Sequence, residues 1–358
     1  MSDNSLTGTD KAAFFPTLKK AVYDYLGEHN LQPQGGGRMY RKCLLIFILW
    51  AGAYSLAIYT AASMHIAVAI LATLGLVACT LFAEMGIMHD ASHDSLSKKR
   101  SVNRWMDVTL ILAGAAPVLW HHKHVRAHHH FTNVPGKDHD IEAGRLFRFH
   151  KDADWHPWHR FQHWYAVGLY SLLGLKWIWV DDVTDAVSNR YSVKGKDYAI
   201  MWMQVILARI SHFVIHLAIP YYFVGNAAIV IGLYLMHWVA VGVFLAVTFQ
   251  LAHITDVQEF PETLRGKDGD WAVHQLSTTA DFAVGNRLLT WAIGGLNYQV
   301  EHHIFPRISH VHYAKIQPIV RQLCEEYGIT YFEYPTVREA LRAHFRHLAS
   351  MGRPPQRA

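Results

Sequence analysis

The stretch AAIVIGLYLMHWVAVGVFLAVTFQLAHITD, Ala227–Asp256, decides how this chain must fold. From Ala227 to Ala252 it holds no Asp, Glu, Lys or Arg, and it turns polar at His253. A helix needs about 20 apolar residues to cross a bilayer, so Ala227–Ala252 reads as a membrane span. Working outward, three more segments qualify. Ile200–Val224 carries only Arg209, Ile66–Met88 only Glu84, and Cys43–Ala62 no charge. The spans pair into two hairpins, one turning at Ser63–His65 and one at Gly225–Asn226. Arg209 is the only one of the 33 Lys and Arg residues inside the four segments. With neither turn carrying a cation, the positive-inside rule puts both termini and residues 89–199 in the cytoplasm.

The expected class is an all-α integral membrane protein. A cytoplasmic N-terminal segment, residues 1–42, would hold an amphipathic helix (Phe14–His29) and a flexible linker (Gln32–Arg38). A membrane domain, 43–358, would follow, with cytoplasmic cap segments 89–199 and 253–358. Apolar stretches Met106–Leu119, Phe161–Val180 and Phe282–Leu296 read as interfacial helices or as core of the cap. Of the 358 residues 51% are hydrophobic and 17% charged, which suits a chain part in lipid and part in water. The net charge of +5 suits an anionic membrane face or an acidic partner. The basic residues are dispersed and match no nucleic-acid motif, so nucleic acid is not expected. Three distant cysteines make no CxxC and no disulfide framework.

Histidines gather where the spans end. His89 and His93 form HDASH after the second span, and i,i+4 spacing places both on one helix face. His124, His128 and His129 lie in HKHVRAHHHFTN, His302 and His303 follow Gln299 in LNYQVEHHIFP, and His253 ends the fourth span. The topology brings all of them to one side of the membrane. Eight imidazoles exceed the needs of one ion and suit two. Nitrogen ligation suits iron, zinc or copper rather than calcium or magnesium, and redox use favours iron.

HDASH, HKHVRAHHHFTN and LNYQVEHHIFP resemble the three histidine boxes of the membrane fatty acid desaturases. The Gln that opens the third box resembles the front-end subgroup. DHDIEAG (138–144), HRFQHWYAVGLY (159–170), WAVHQLSTTADFA (271–283) and FPRISHVHYAKIQPIV (305–320) resemble bacterial linoleoyl-CoA desaturase-like proteins. The resemblance implies two irons, with O2 as cosubstrate. It implies His89, His93, His124, His128, His129, His253, His302 and His303 as ligands, with Gln299 bound directly or through water. His121, His122 and His130 are not implied. Asp90, Asp94, Asn133, Asp138, Asp140, Asp256 and Glu301 are candidates for fixing the imidazoles.

The implied substrate is a fatty acyl chain, carried by CoA or lipid. Trp120, Trp164 and Trp291 are candidate walls of its cavity, or else interfacial anchors. Arg209, His212 and His216 share a face of the third span and are suspects because ionisable groups in spans are costly. Lone His237 reads as packing. No HPGG haem motif, GxGxxG site or iron–sulfur cysteine set appears, so a separate electron donor is expected: ferredoxin, or cytochrome b5 with its reductase. The implied location is the bacterial inner membrane. A lipid hydroxylase on the same scaffold is the rival enzyme. A metal transporter fits less well, because its ligands would lie near the midplane of the spans.

Overall fold

A computed structural model describes residues 13–264 and 270–355. The remaining parts of the expected N-terminal segment and cap, 1–12, 265–269 and 356–358, lie outside the described residues. The main helices are α1 (Phe14–Glu28), α2 (Gly36–Ala62), α3 (Ile66–Ser92), α4 (Arg100–Ala113), α5 (Lys196–Val224), α6 (Ala227–His253), α7 (Asp270–Thr278), α8 (Gln299–Ile304), α9 (Tyr313–Glu326) and α10 (Val337–Met351). Four of them, α2, α3, α5 and α6, are long and apolar enough to cross a membrane. Their outward faces carry exposed Leu, Ile and Phe, such as Leu44, Leu71, Ile206 and Phe244. That is what a helix touching hydrocarbon requires. α3 packs along α2 and against α6.

Three of these helices run past the expected limits. α2 starts at Gly36, inside the expected linker, α3 continues through HDAS to Ser92, and α5 begins at Lys196. Hydrogen bonding along a helix does not stop where side chains turn polar, so the hydropathy border underestimates helix length. α3 also changes pitch: Glu84–Met88 forms a wider π-turn, and Val214–Ala218 does the same in α5.

The expected interfacial helices are shorter than the apolar stretches. Gly114, left-handed at φ 109°, ends α4, and Pro117 starts a new turn. Within 161–180 the chain makes Gln162–Tyr170, Leu173–Lys176 and a π-turn, Trp177–Asp181. Only Arg287–Ala292 is helical within 282–296. The all-α reading also needs a small correction. Asp281–Phe282 pairs in parallel with Glu333–Tyr334. No two-residue pairing has a periodicity to betray it.

α1 follows its pattern. Phe14, Leu18, Val22 and Leu26 recur at i,i+4, the spacing of one helix face. They are buried against Tyr313, Ile316, Val320 and Leu323 of α9. The same cluster reaches Val300 and Ile304 of α8, so the helix before the first span braces the third histidine box.

Candidate metal centre

Four chain segments converge on one buried point. α3 brings His89, and His93 follows at its C-cap. A π-turn over His121–His128 brings His124 and His128, whose rings stack 5.2 Å apart, and His129 follows. α6 ends on His253, and α8 carries Gln299, His302 and His303. Each of the eight histidines is at most 6% exposed. Their nitrogens make two all-histidine groups. His89, His93, His124, His129 and His302 form one, and His128, His253 and His303 the other; within each, the ligand atoms lie within 4.8 Å of one another. His124 and His128 also form a third group with Asp140. The amide of Gln299 stands 2.9 Å from His253 Nε2. His121, His122 and His130 lie outside these groups. His121 instead meets Asp107 at 2.9 Å.

The residues fit a metal on their own evidence. Nε2 of His93, His129, His302 and His303 is buried without a hydrogen-bond partner, as are Nδ1 of His129 and Oε1 of Gln299. His89 Nε2 faces His124 Nε2 at 3.1 Å. Orphaned buried polar atoms are costly, and a cation shared among them removes that cost. Burial first, and then neighbouring imidazoles, hold His93, His129, His302 and His303 well below the usual histidine range. Burial likewise pulls His124 down to about 4. These rings are neutral at pH 7, as nitrogen ligands must be.

The opposite ring nitrogens are held by protein. His128 Nδ1 donates to the Asp138 carboxylate at 3.0 and 3.1 Å, and Asp138 accepts the amides of Asn133 and Asp140. Burial lowers His128, but Asp138 and Asp140 together outweigh it and raise the ring above its usual range. His303 Nδ1 donates to Gln275 Oε1 at 2.8 Å, and His253 Nδ1 donates to Thr278 O at 3.3 Å. His302 Nδ1 meets the Tyr313 hydroxyl at 3.1 Å. The carboxylate, amide and backbone oxygens can only accept, so for those three rings the proton sits on Nδ1 and the Nε2 lone pair turns inward.

The expected orienting residues divide. Asp138 contacts a ring directly, and Asp140 lies 3.6 Å from Nδ1 of both His124 and His128. Asn133 donates to the backbone carbonyl of His253 at 2.9 Å. The other four do not contact the eight rings. Asp90 takes the Ser309 hydroxyl at 2.6 Å and faces His310 at 3.0 Å. Asp94 pairs with Asn103, and Asp256 with Tyr334 and Arg346. Glu301 shares Tyr331 with Asp281, and burial plus Asp281 keep it well above the carboxylate range. Asp90, Asp94 and Glu301 each adjoin one of the eight histidines in sequence, and residues one apart on a helix point to different faces. Gln275, Tyr313 and Thr278 were missed, as was Thr132, whose hydroxyl lies 3.2 Å from His303 Nδ1. Gln275 and Thr278 lie in WAVHQLSTTADFA and Tyr313 in FPRISHVHYAKIQPIV, but nothing in their residue types singles them out.

The candidate cavity residues divide as well. Trp120 stacks on His124 at 4.2 Å and contacts Trp177. His216 lines a cavity between the spans with Glu84, Thr80, Tyr54 and Trp50. Trp164 is 78% exposed and is no cavity wall. Trp291 packs on Phe82 and accepts Lys42 at its carbonyl. Arg209 Nη1 donates to Gly114 O at 2.6 Å and His212 Nδ1 to Ala113 O at 2.7 Å. These two satisfy the open carbonyls where α4 ends; Asp182 lies 4.0 Å from Arg209 Nη2, while Arg209 Nε and Nη2 are buried without a hydrogen-bond partner among the described residues. His237 reaches Thr80 at 3.4 Å, in keeping with packing.

Four membrane-length helices, two of which end at buried histidines able to hold metal, define a membrane protein with a metal-type centre. Residues 63–335 match the fatty acid desaturase family profile, and the chain belongs to that family. It is 34% identical to an acyl-lipid (8-3)-desaturase of Physcomitrium patens, over 95% of this chain and 72% of that protein. It is 31% identical to an sn-1 linoleoyl-lipid 6-desaturase of Arthrospira platensis, over 96% and 94%. To the protein of that name from Synechocystis it is 28% identical, over 96% and 97%. The chain is a fatty acyl desaturase, an oxidoreductase of lipid metabolism.

Asp138→Asn removes the charge that holds His128 while keeping the shape. Metal affinity or activity is expected to fall about 10–100-fold, read by metal analysis and product yield. Activity equal to wild type would show that Asp138 does not set the ring.

Proposed function

We propose that the eight histidines and Gln299 hold two irons. One group of five and one of three take an ion each, and the chain forms a double bond in an acyl chain at the expense of O2. The observation that carries this is the set of buried, inward-facing ring nitrogens without partners. Two hydrogens leave adjacent methylenes; with two electrons and two protons from outside they reduce O2 to two waters. The bound iron supplies oxidising power that no side chain has. The protein's own contribution is placement. Asp138, Gln275 and Thr278 fix ring tautomers, so the centre needs no rearrangement to receive metal. Trp120, against His124, and its apolar neighbours Met88 and Leu110 form a dry floor under the rings, where methylenes can lie.

The acyl chain is proposed to be lipid- or CoA-borne and attacked on the carboxyl side of an existing double bond. Support comes from the Gln-led third box and from the similarity to acyl-lipid and linoleoyl-lipid desaturases. Both termini and the centre are assigned to the cytoplasm, since the turns at Ser63–His65 and Gly225–Asn226 carry no cation. A bacterial inner membrane and a separate acidic donor, a ferredoxin or cytochrome b5 with its reductase, complete the reading.

Expression in cells followed by lipid mass analysis tests it. The expected product is lighter than its precursor by two hydrogens, appears only with O2, and comes with two irons per purified chain. A product heavier by one oxygen would assign a hydroxylase instead.

A further inference from the structure

Two cavities are lined by chain neighbours of the apolar cluster that meets His124 through Trp120. The first, about 230 Å³, lies between the spans, and apolar surface dominates its wall. The second, about 540 Å³, has an apolar wall that includes Leu169, Leu173 and Ala246. Its rim carries matched charges, among them the Lys176–Asp181 and Arg190–Glu142 pairs. The floor itself is Met88, Leu110, Ala115 and Trp120, with Trp177 and Phe249 packed on it. Chain neighbours tie the floor to both cavities. Lys176 beside Trp177 and Gln250 beside Phe249 line the charged-rim cavity, and Leu112 and Ala113 after Leu110 line the other.

The two cavities suit opposite ends of one amphipathic molecule. A head group with its ester belongs at the charged rim, and a hydrocarbon tail belongs between the spans. The methylenes between them then cross the floor beneath the rings.

Gln250 lines the charged-rim cavity. It lies three residues before the ligand His253 on α6, about 4.5 Å along a helix axis. Its side-chain carbonyl is buried without a hydrogen-bond partner. A primary amide in an otherwise apolar stretch of span, left unsatisfied by protein, costs stability unless something else pairs with it. Rotation about its last bond presents either N–H or C=O at the same place.

Resting on the desaturase reading above, we infer that Gln250 donates a hydrogen bond to the ester or thioester carbonyl of the acyl substrate. It thereby fixes how far the reacting carbons lie from the carboxyl end. Gln250 is a specificity-determining residue: it holds the carbonyl one helical turn from a metal ligand, so the new double bond falls a set few carbons away. The apolar tail is free to vary in length within the cavity between the spans.

The test uses the full chain in membranes with two lipid substrates, one ester-linked and one with an ether link that lacks the carbonyl. Double-bond position, kcat/KM and metal per chain are read for wild type, Gln250→Leu and Gln250→Asn. With the ester lipid, Gln250→Leu is expected to keep its metal, to lose roughly fivefold to tenfold in kcat/KM and to spread its double bond over adjacent positions. Gln250→Asn should recover part of both. Wild type given the ether lipid should behave as Gln250→Leu does with the ester, and the variant should not tell the two lipids apart. A single, unmoved double bond at wild-type efficiency from Gln250→Leu overturns the inference. So does a wild type that treats ether and ester alike, a result that stands even if the variant fails to accumulate. A wild type that makes no double bond in any lipid overturns the desaturase reading and this inference together.

Discussion

His303→Ala is expected to abolish product and to take bound metal from two ions per chain towards one. The reason is the uneven division of ligands. His303 belongs to a group of three with His128 and His253, while His302 belongs to a group of five. Removing His303 leaves two imidazoles and the Gln299 amide, too few to hold an ion against water. Removing His302 leaves four imidazoles. His302→Ala should therefore retain more metal than His303→Ala, although both lose turnover. The loss for His303→Ala should exceed the roughly 100-fold seen when only a ligand's supporting partner is removed. Metal analysis of both purified variants, with product yield, checks the order. Equal retention of two metals by both would dissolve the two-group assignment.

The metal-free protein is expected to lose stability steeply as pH falls below about 6.5. The sign follows from His93, His129, His302 and His303, which burial holds well below the ordinary histidine value of about 6.5. Their folded forms stay neutral where the unfolded chain takes up protons. Stability is thus fully present above pH 6.5 and drains away below it, down to the folded pKa values. Each such ring contributes about 1.4 kcal/mol per pH unit across that window. Asp138 and Asp140 keep His128 above its usual range, and that ring acts in the opposite sense. Bound metal stabilises the folded form by mass action, so the loaded protein should unfold at lower pH. Melting temperatures of loaded and chelated protein between pH 7 and 5 give the measurement; curves that stay parallel would contradict the assignment.

Much of the centre was legible in the sequence because histidine is chemically conspicuous. Eight of them at the ends of apolar runs need a common purpose, and His253 could be matched by its depth at the end of the fourth span. The second layer was legible only where the residue is itself a charged group on the correct side, as Asp138 is. Gln275 and Tyr313 reach the same rings from 28 and 11 residues away, through packing that no local pattern encodes. Arg209 looked functional because charge inside a span is expensive. The structure meets part of that expense with the carbonyl of Gly114 and with Asp182 at 4.0 Å from the guanidinium. The short strand pairing and the broken interfacial helices depend on tertiary contacts, so hydropathy could not foresee them.

The wide turns have a consequence for redesign. At Glu84–Met88 and again at His121–His128, one extra residue per turn is accommodated just where ligands begin. A one-residue deletion in either segment would let it relax to an ordinary helix at no cost in hydrogen bonds. A one-residue deletion in the ordinary helical turns just before either segment has no such slack and would swing everything beyond by about 100°, carrying His89 and His93, or His128 and His129, off target. Thickness-matching to a different bilayer therefore has to be done at the Ser63–His65 or Gly225–Asn226 ends. There, a residue more or less shifts only the lipid-facing length and leaves the angular phase of the centre untouched.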